Sequence, residues 1–434
     1  MSNSLIGVIG ILALFGLLSV RMPVGIVMML VGFVGIAVMN GWPAALSTLG
    51  SEPFVIASNF ELMIIPMFVL MGNLASMSGM SRDLYGAAYA WFGHWRGGLA
   101  SATIAACAGF AALSGSSVAS AVTMGRVALP EMRRYAYHPR LATGAIAAGG
   151  TLGILIPPST GFVIYAILTE ESIGRLFLAG VLPGLLLTAL FMVAIAIQTR
   201  FRPALGPPGP VLPLAERFRA TGRATAMIGI VVITIGGIYS GFFTAGEAAG
   251  VGAFLAFLLA LARRSVTPSS LNFTLLETVR TSAFAFLILI GAHIFNPFLA
   301  LTQIPSDLAE LLIGTELPRL GILAILLAVF ILLGTFLEGF AILVLTLPIV
   351  HPLIVELGYD PIWFGVLMVI VLEMGLISPP VGVNVFVVKG IAEDVPMRDI
   401  FIGILPFWGA MLVCMIVLVI FPEIALFLPN RMIQ

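Results

Sequence analysis

The chain has 434 residues, a net charge of zero, 60% hydrophobic residues and only 9% charged ones, with a mean hydropathy of +1.15. A soluble domain of this size needs about a quarter of its residues charged to cover its surface, so lipid must be the solvent, and the balanced charge argues against nucleic acid as a partner. Cys107 and Cys414 both sit in apolar stretches and imply no disulfide framework.

In chain order, full spans are predicted near 5–20, 23–39, 54–77, 175–198, 224–239, 244–262, 279–300 and 400–421. The start lacks a basic leader region, and a second apolar run follows Arg21 at once, so a retained membrane hairpin is expected there. Four further apolar regions, near 98–130, 141–170, 318–353 and 362–390, are interrupted by Gly, Ser or Pro clusters. Basic loops at Arg133–Arg134 with Arg140, at Arg200 to Arg223 and at Arg263–Arg264 are assigned to the cytoplasm. Acidic loops at Glu170–Glu171, Asp307 to Glu316 and Glu356 to Asp360 are assigned outside, which puts Arg21 inside and both chain ends in the periplasm.

The interrupted regions form a repeated pair. SGSSVASAVTMG (114–125) precedes GGTLGILIPPSTG (149–161), and GTFLEGFAILVLTLP (334–348) precedes EMGLISPPVGVN (373–384). Ser117 to Pro158 spans 158 − 117 = 41 residues, and Gly339 to Pro380 spans 380 − 339 = 41. Arg82, Arg96, Arg133, Arg134 and Arg140 dominate the flanks of the first pair, whereas Asp307, Glu310, Glu316, Glu356 and Asp360 dominate those of the second. Equal spacing with reversed charge is the signature of an inverted-topology repeat, the first unit opening to the cytoplasm and the second outward.

Regions 98–130 and 318–353 would each make a helix of roughly 50 Å, too long for a ~30 Å hydrocarbon core. Re-entrant hairpins are therefore expected, with tips at Ser114–Ser117 and Gly334–Gly339. Regions 141–170 and 362–390 must break at Pro157–Pro158 and Pro379–Pro380, because proline removes a donor and clashes with the preceding turn. Each break frees carbonyls at one half-helix end, suited to hard cations such as Na⁺, and N–H groups at the next half-helix start, suited to anions. Two tips and two breaks meeting at the membrane midplane would form one anion site flanked by two cation sites. Ser116, Ser117, Thr151, Ser159, Thr160, Thr335, Ser378 and Asn384 add side-chain oxygens there, with Ser116, Thr151, Thr160 and Asn384 the candidates for substrate. The competing role of such small residues is close helix packing. Ser117 and Gly339 occupy equivalent points, and leucine at either is expected to impair transport, at Gly339 by preventing a close backbone approach.

At these residues the sequence resembles the large membrane subunit of tripartite ATP-independent periplasmic (TRAP) transporters, the dicarboxylate-transporter M-subunit type. IPMFVLMGNLASMSG (65–79), SGSSVASAVTMG, GGTLGILIPPS, FFTAGEAAGVGA (242–253) and LISPPVGVN match that family's characteristic stretches in its order, across nearly the whole chain. The resemblance implies an elevator-type secondary transporter of the bacterial inner membrane, importing an organic acid, with Na⁺ as coupling ion and no organic cofactor. It also implies a periplasmic substrate-binding protein and a small four-helix membrane subunit, expected here as a separate polypeptide. Carried over by position, Gly115–Ser116–Ser117 with Pro157–Pro158–Ser159 would hold one cation. The tip containing Thr335, Glu338 and Gly339, with the break containing Ser378, Pro379, Pro380 and Gly382, would hold the second. The family often has aspartate where this chain has Glu338, and Thr-Pro-Thr-Glu where it has Thr244-Ala245-Gly246-Glu247.

The expected architecture is an all-α integral membrane bundle with inverted repeats, two re-entrant hairpins and two broken helices. Its parts are N-terminal scaffold helices (1–95), a first transport repeat (96–174), central scaffold helices and connector (175–315), a second transport repeat (316–395) and a C-terminal helix (396–434). Glu61, Glu247, His293, Glu338 and Glu373 lie in or beside apolar runs, where charges tend to face a bundle interior. Glu247 reads as structural and His293 as an interior histidine, while for Glu338 helix capping and a role in the site remain open. A stand-alone ion-coupled carboxylate or metabolite transporter is the alternative function. An intramembrane enzyme is disfavoured, since no His-Glu-x-x-His motif or pair of membrane-depth aspartates is present and His94, His138, His293 and His351 neighbour different segments.

Overall fold

The computed structural model describes residues 2–20, 22–314 and 317–432. Arg21 and Glu316, both used in the orientation argument, lie outside the described residues. Among the described residues all regular secondary structure is helical. The chain opens with α1 (Asn3–Ser19), α2 (Val24–Asn40), α3 (Trp42–Ser58), α4 (Ile64–Met77) and α5 (Met80–Phe92). The first interrupted pair is α6 (Gly98–Ser114), α7 (Ser117–Arg134), α8 (Pro139–Leu155) and α9 (Thr160–Thr169). Then come α10 (Ile173–Phe201), α11 (Leu214–Tyr239), α12 (Ala245–Ala262), α13 (Pro268–Leu301) and α14 (Ile304–Ile313). The second interrupted pair is α15 (Arg319–Gly334), α16 (Gly339–Glu356), α17 (Pro361–Leu376) and α18 (Val383–Ile391), and α19 (Met397–Ile420) closes the bundle. Eight helical segments of the described residues are long and apolar enough to cross a membrane.

The expected 54–77 span is divided, since α3 ends at Ser58, a short 3-10 turn follows from Phe60, and α4 carries the rest. Three helices were not anticipated, α3, α5 and α14, the last lying where an acidic loop was expected. Glu52 and Pro53 interrupt the apolar signal of α3, and Ser81, Arg82 and Asp83 dilute that of the 13-residue α5. The expected spans at 224–239 and 279–300 are the apolar parts of longer helices beginning at Leu214 and Pro268.

One packing group joins α2, α3, α4, α11, α12 and α13. Its α2–α13 crossing is a main-chain contact, because a Cβ on Gly32 would lie 2.6 Å from the Ile294 carbonyl. A second group gathers α6, α7, α8, α10, α17, α18 and α19. Charges segregate to the two ends. Arg263 pairs with Asp83 (2.5 Å), Arg140 with Asp399 (2.7 Å) and Arg133 with Asp394 at one end. At the opposite end Glu61, Glu171, Thr244 and Met432 line one cavity of about 470 Å³. Ser4 donates to Asp307 and Arg175 to Asn430, which anchors both ends of the described chain at that second, acidic end.

Candidate functional site

All four predicted interruptions are present, and each falls within its predicted region. The α6–α7 tip is Gly115–Ser116, the α15–α16 tip is Thr335–Glu338, and the helix breaks are Ile156–Ser159 and Ile377–Gly382. Ser117 and Gly339 are each the first residue of their helix. Both proline pairs carry a cis peptide bond.

In the first unit the tip seats on the break. Gly115 has φ +58°, and a Cβ there would meet the Pro158 carbonyl at 2.8 Å, so glycine is required on both counts. The Thr160 hydroxyl donates to the Gly115 carbonyl at 2.8 Å. Ser116 caps α7 by accepting from the Ala119 N–H, and Ser159 caps α9 by accepting from the Phe162 N–H. Thr151 turns its hydroxyl back to the Ala148 carbonyl at 2.6 Å. Ser117, Pro157, Pro158 and Ser159 are buried, and Ser116 and Thr160 are half-buried.

The second unit is built differently. α15 packs mainly along α17 and meets α16 little beyond the turn. Gly334 and Gly375 make that contact, since a Cβ on Gly375 would lie 2.5 Å from the Gly334 Cα. Gly339 makes no such approach. The nearest atom to its Cβ position is 3.9 Å away, and its φ is not positive, which corrects the packing reason expected for this glycine. Ser378 donates to the Met374 carbonyl and accepts from the Trp408 indole at 3.0 Å. Thr335 donates to the Leu332 carbonyl. Glu338 stands at the N-cap of α16 and is exposed, but its side chain makes no cap bond. Gly382, at φ +60°, is the N-cap of α18 and likewise offers no side chain. The first N–H groups of α16 and α18 therefore lack the serine caps of α7 and α9.

The two units touch. Ser117 Oγ donates to Glu373 Oε1 at 2.5 Å, and the Tyr165 hydroxyl donates to the Pro361 carbonyl at 2.7 Å. α18 runs parallel to α7, because Ile391 lies beside Gly125 while Asp394, further on, pairs with Arg133. The N-terminal ends of α7 and α18 therefore sit at one level, with Ser117 at the first and Asn384 at the second. Asn384 is fully buried, and neither side-chain polar atom has a partner.

Sequence reasoning noticed Glu373 as a charge in an apolar run but gave it no role. Trp408 was missed, and an indole inside a long apolar helix carries no sequence signal for a partner on another helix. Glu247 forms a capping box with Thr244, the Thr244 N–H donating to its carboxylate at 2.8 Å and its own N–H donating to the Thr244 hydroxyl at 3.2 Å, a contact that serves the start of α12. His293 lies 3.7 Å from Glu52.

A family model described as tripartite ATP-independent periplasmic transporter, DctM component, matches residues 11–424. The chain belongs to this family. It is 38% identical over 389 residues to the C4-dicarboxylate TRAP transporter large permease protein DctM of Pseudomonas aeruginosa, covering 89% of this chain and 90% of that one. It is 33% identical over 422 residues to the sialic acid TRAP transporter large permease protein SiaM of Vibrio cholerae, covering 96% of both. Among solved structures, the Alcanivorax borkumensis YdaH transporter shares the fold, with TM-score 0.62 and 15% identity over 90% of this chain and 88% of that one. The protein is thus a multi-pass large permease component of a TRAP-type transporter, not an enzyme.

Proposed function

We propose that this TRAP permease imports an organic acid across the bacterial inner membrane, driven by Na⁺, by an elevator movement of the two interrupted units. The observation that carries the reading is the contact of tip with break in the first unit, joined through Ser117 and Glu373 to the second. Non-helical backbone at membrane depth is tolerated only when buried in protein or lining a wet cavity. Both units keep such backbone, and each break pairs a half-helix C-terminus with a half-helix N-terminus, ends suited to a cation and an anion respectively. In this reading the pairs α6–α7 and α15–α16 are re-entrant hairpins of an inverted repeat.

Gly115, Ser116, Ser117 and Pro157 to Ser159 form one cation site, and Thr335, Glu338, Gly339, Ser378 to Pro380 and Gly382 form the other. The substrate carboxylate binds between them, near Ser116, Thr151, Thr160 and Asn384. The uncapped start of α18 and the unpartnered Asn384 amide favour this placement. The moving body comprises 96–174 and 316–395, with α10 and α19 assigned to it on their packing, and the rest of 1–95 and 175–315 is the scaffold. The acidic end, with both termini, faces the periplasm and receives the binding protein, while a small four-helix subunit and lipid flank the scaffold. An organic acid fits relatives named for C4-dicarboxylates and sialic acid.

The test is reconstitution in liposomes with the small subunit and binding protein, following a radiolabelled C4-dicarboxylate. Uptake should require an inward Na⁺ gradient, vary sigmoidally with Na⁺ and need all three components. Undiminished uptake on a proton gradient without Na⁺ refutes the coupling. Rapid uptake by this chain alone supports a stand-alone carrier instead.

A further inference from the structure

Among the described residues, Glu373 is the only charged side chain in the fully buried set, with 2% exposure. One carboxylate oxygen accepts from Ser117 and the other, Oε2, has no partner. An ion with a single hydroxyl for company, on a helix whose other buried residues are apolar, carries a desolvation cost of several kcal/mol, so this carboxyl is held either as the neutral acid or with something opposing its charge. No cationic side chain does so here, since the salt bridges of the described residues all lie elsewhere.

The local charge points to what fills the gap. At the first unit the C-termini of α6 and α8 meet the N-termini of α7 and α9. Each end carries roughly half a charge, negative at C-termini and positive at N-termini, so the four nearly cancel. When ionised, the Glu373 carboxylate then sets the sign of the whole pocket, which favours a cation there. Ser117 is also oriented by this contact. Its one hydroxyl hydrogen goes to Glu373, so its oxygen can present only lone pairs to anything else nearby. A second-unit carboxylate oxygen and a first-unit hydroxyl oxygen are thereby both left as acceptors, in hard-cation ligand chemistry.

Position 373 is also where the two units diverge. The offset between them is 380 − 158 = 222, equal to 339 − 117 = 222, which maps Glu373 onto 373 − 222 = 151. Thr151 there is neutral and bonded within its own helix.

We propose that the free Oε2 of Glu373 is a ligand of the cation held at the first hairpin tip, so that this site is completed by a carboxylate from the second unit. The proposal rests on the reading that the tip holds Na⁺.

Two measurements on the full chain in detergent test it. The first is the thermal midpoint as a function of Na⁺, with choline as control, for wild type and Glu373→Gln. Glutamine can keep the Ser117 contact while losing the charge. Wild type should be stabilised saturably by Na⁺, and Glu373→Gln should need about tenfold more Na⁺ or lose the response, a difference of roughly 1.4 kcal/mol or greater. The second uses wild type alone, so it survives a variant that does not fold. A hydrophobic carbodiimide adds to a protonated carboxyl, the acid proton passing to a carbodiimide nitrogen and the carboxylate oxygen bonding to its carbon. Na⁺, but not choline, should protect Glu373 from this labelling, read by mass spectrometry. Na⁺ stabilisation of wild type with unchanged labelling, or with an unchanged Glu373→Gln curve, overturns the role of Glu373 and spares the Na⁺ reading. No Na⁺ effect on wild type in either measurement overturns both.

Discussion

The two interrupted units share a spacing and differ in how they are held. The first is buried and polar. Its proline pair is inside, its helix starts are capped by serines, and Thr160 ties break to tip. The second is more open and apolar. Phe336 at its tip is 64% exposed, Val381 beside its proline pair is 38% exposed, and two glycines rather than hydrogen bonds fix α15 to α17. One backbone plan is therefore stabilised by two kinds of contact, and a substitution of the same size should act differently in each.

The largest effect is expected where the second unit has no slack. Gly375→Leu places a branched side chain where even a Cβ would sit 2.5 Å from the Gly334 main chain. Backbone cannot move aside as a flexible side chain can, so the cost should fall toward the upper end of the ~1–3 kcal/mol typical of overpacking. A markedly lowered thermal midpoint in detergent, with uptake lost, is the expected result. A near-wild-type midpoint would mean that α15 separates from α17 at little cost.

Next comes the bond between the units. Ser117→Ala removes the single partner of Glu373. Leaving a buried acceptor unsatisfied costs about 1–3 kcal/mol, so the thermal midpoint should fall by less than for Gly375→Leu, and the Na⁺ needed for half-maximal uptake should rise. Unchanged values for both would show that the contact is incidental. Within the first unit, Thr160→Val removes one hydrogen bond, to Gly115, while keeping the side chain's shape. A net loss of about 0.5–1.5 kcal/mol is expected, visible as a small drop in midpoint with normal membrane insertion.

Local covalent chemistry explains which of these features could be read in the sequence. Proline pairs break helices wherever they stand, so both breaks and the 41-residue spacing were legible, as were the first residues of α7 and α16. Contacts between distant residues were not. Ser117 and Glu373 are 256 residues apart, and nothing in the apolar run around Glu373 indicates what its carboxylate meets. Gly334 and Gly375 carry the close approach that sequence equivalence suggested for Gly339, because the symmetry of spacing does not extend to how the helices lean. α5 escaped notice for a simpler reason: it is short and carries Ser81, Arg82 and Asp83 in its first turn, so its hydropathy there resembles a loop.

The smallest effect is expected at Gly339, and it separates two roles for that residue. Its Cβ position is open, with nothing closer than 3.9 Å, and its backbone is not left-handed. Alanine therefore fits without strain, and restricting the unfolded chain should stabilise the protein by up to about 0.4–1 kcal/mol. If main-chain groups at this tip hold the second cation, Gly339→Ala leaves them in place, and the Na⁺ dependence of uptake should match wild type. Gly339→Leu adds three more carbons beside Glu338 and the turn, at the mouth of the same site, so it should raise the Na⁺ requirement while the thermal midpoint stays close to that of alanine. The pair thus isolates filling of the site from damage to the fold. A shifted Na⁺ curve already in Gly339→Ala would mean that the tip must adopt a conformation only glycine permits during the transport cycle. An unshifted curve in both variants would remove this tip from the second cation site, leaving Ser378 to Gly382 to form it without the hairpin.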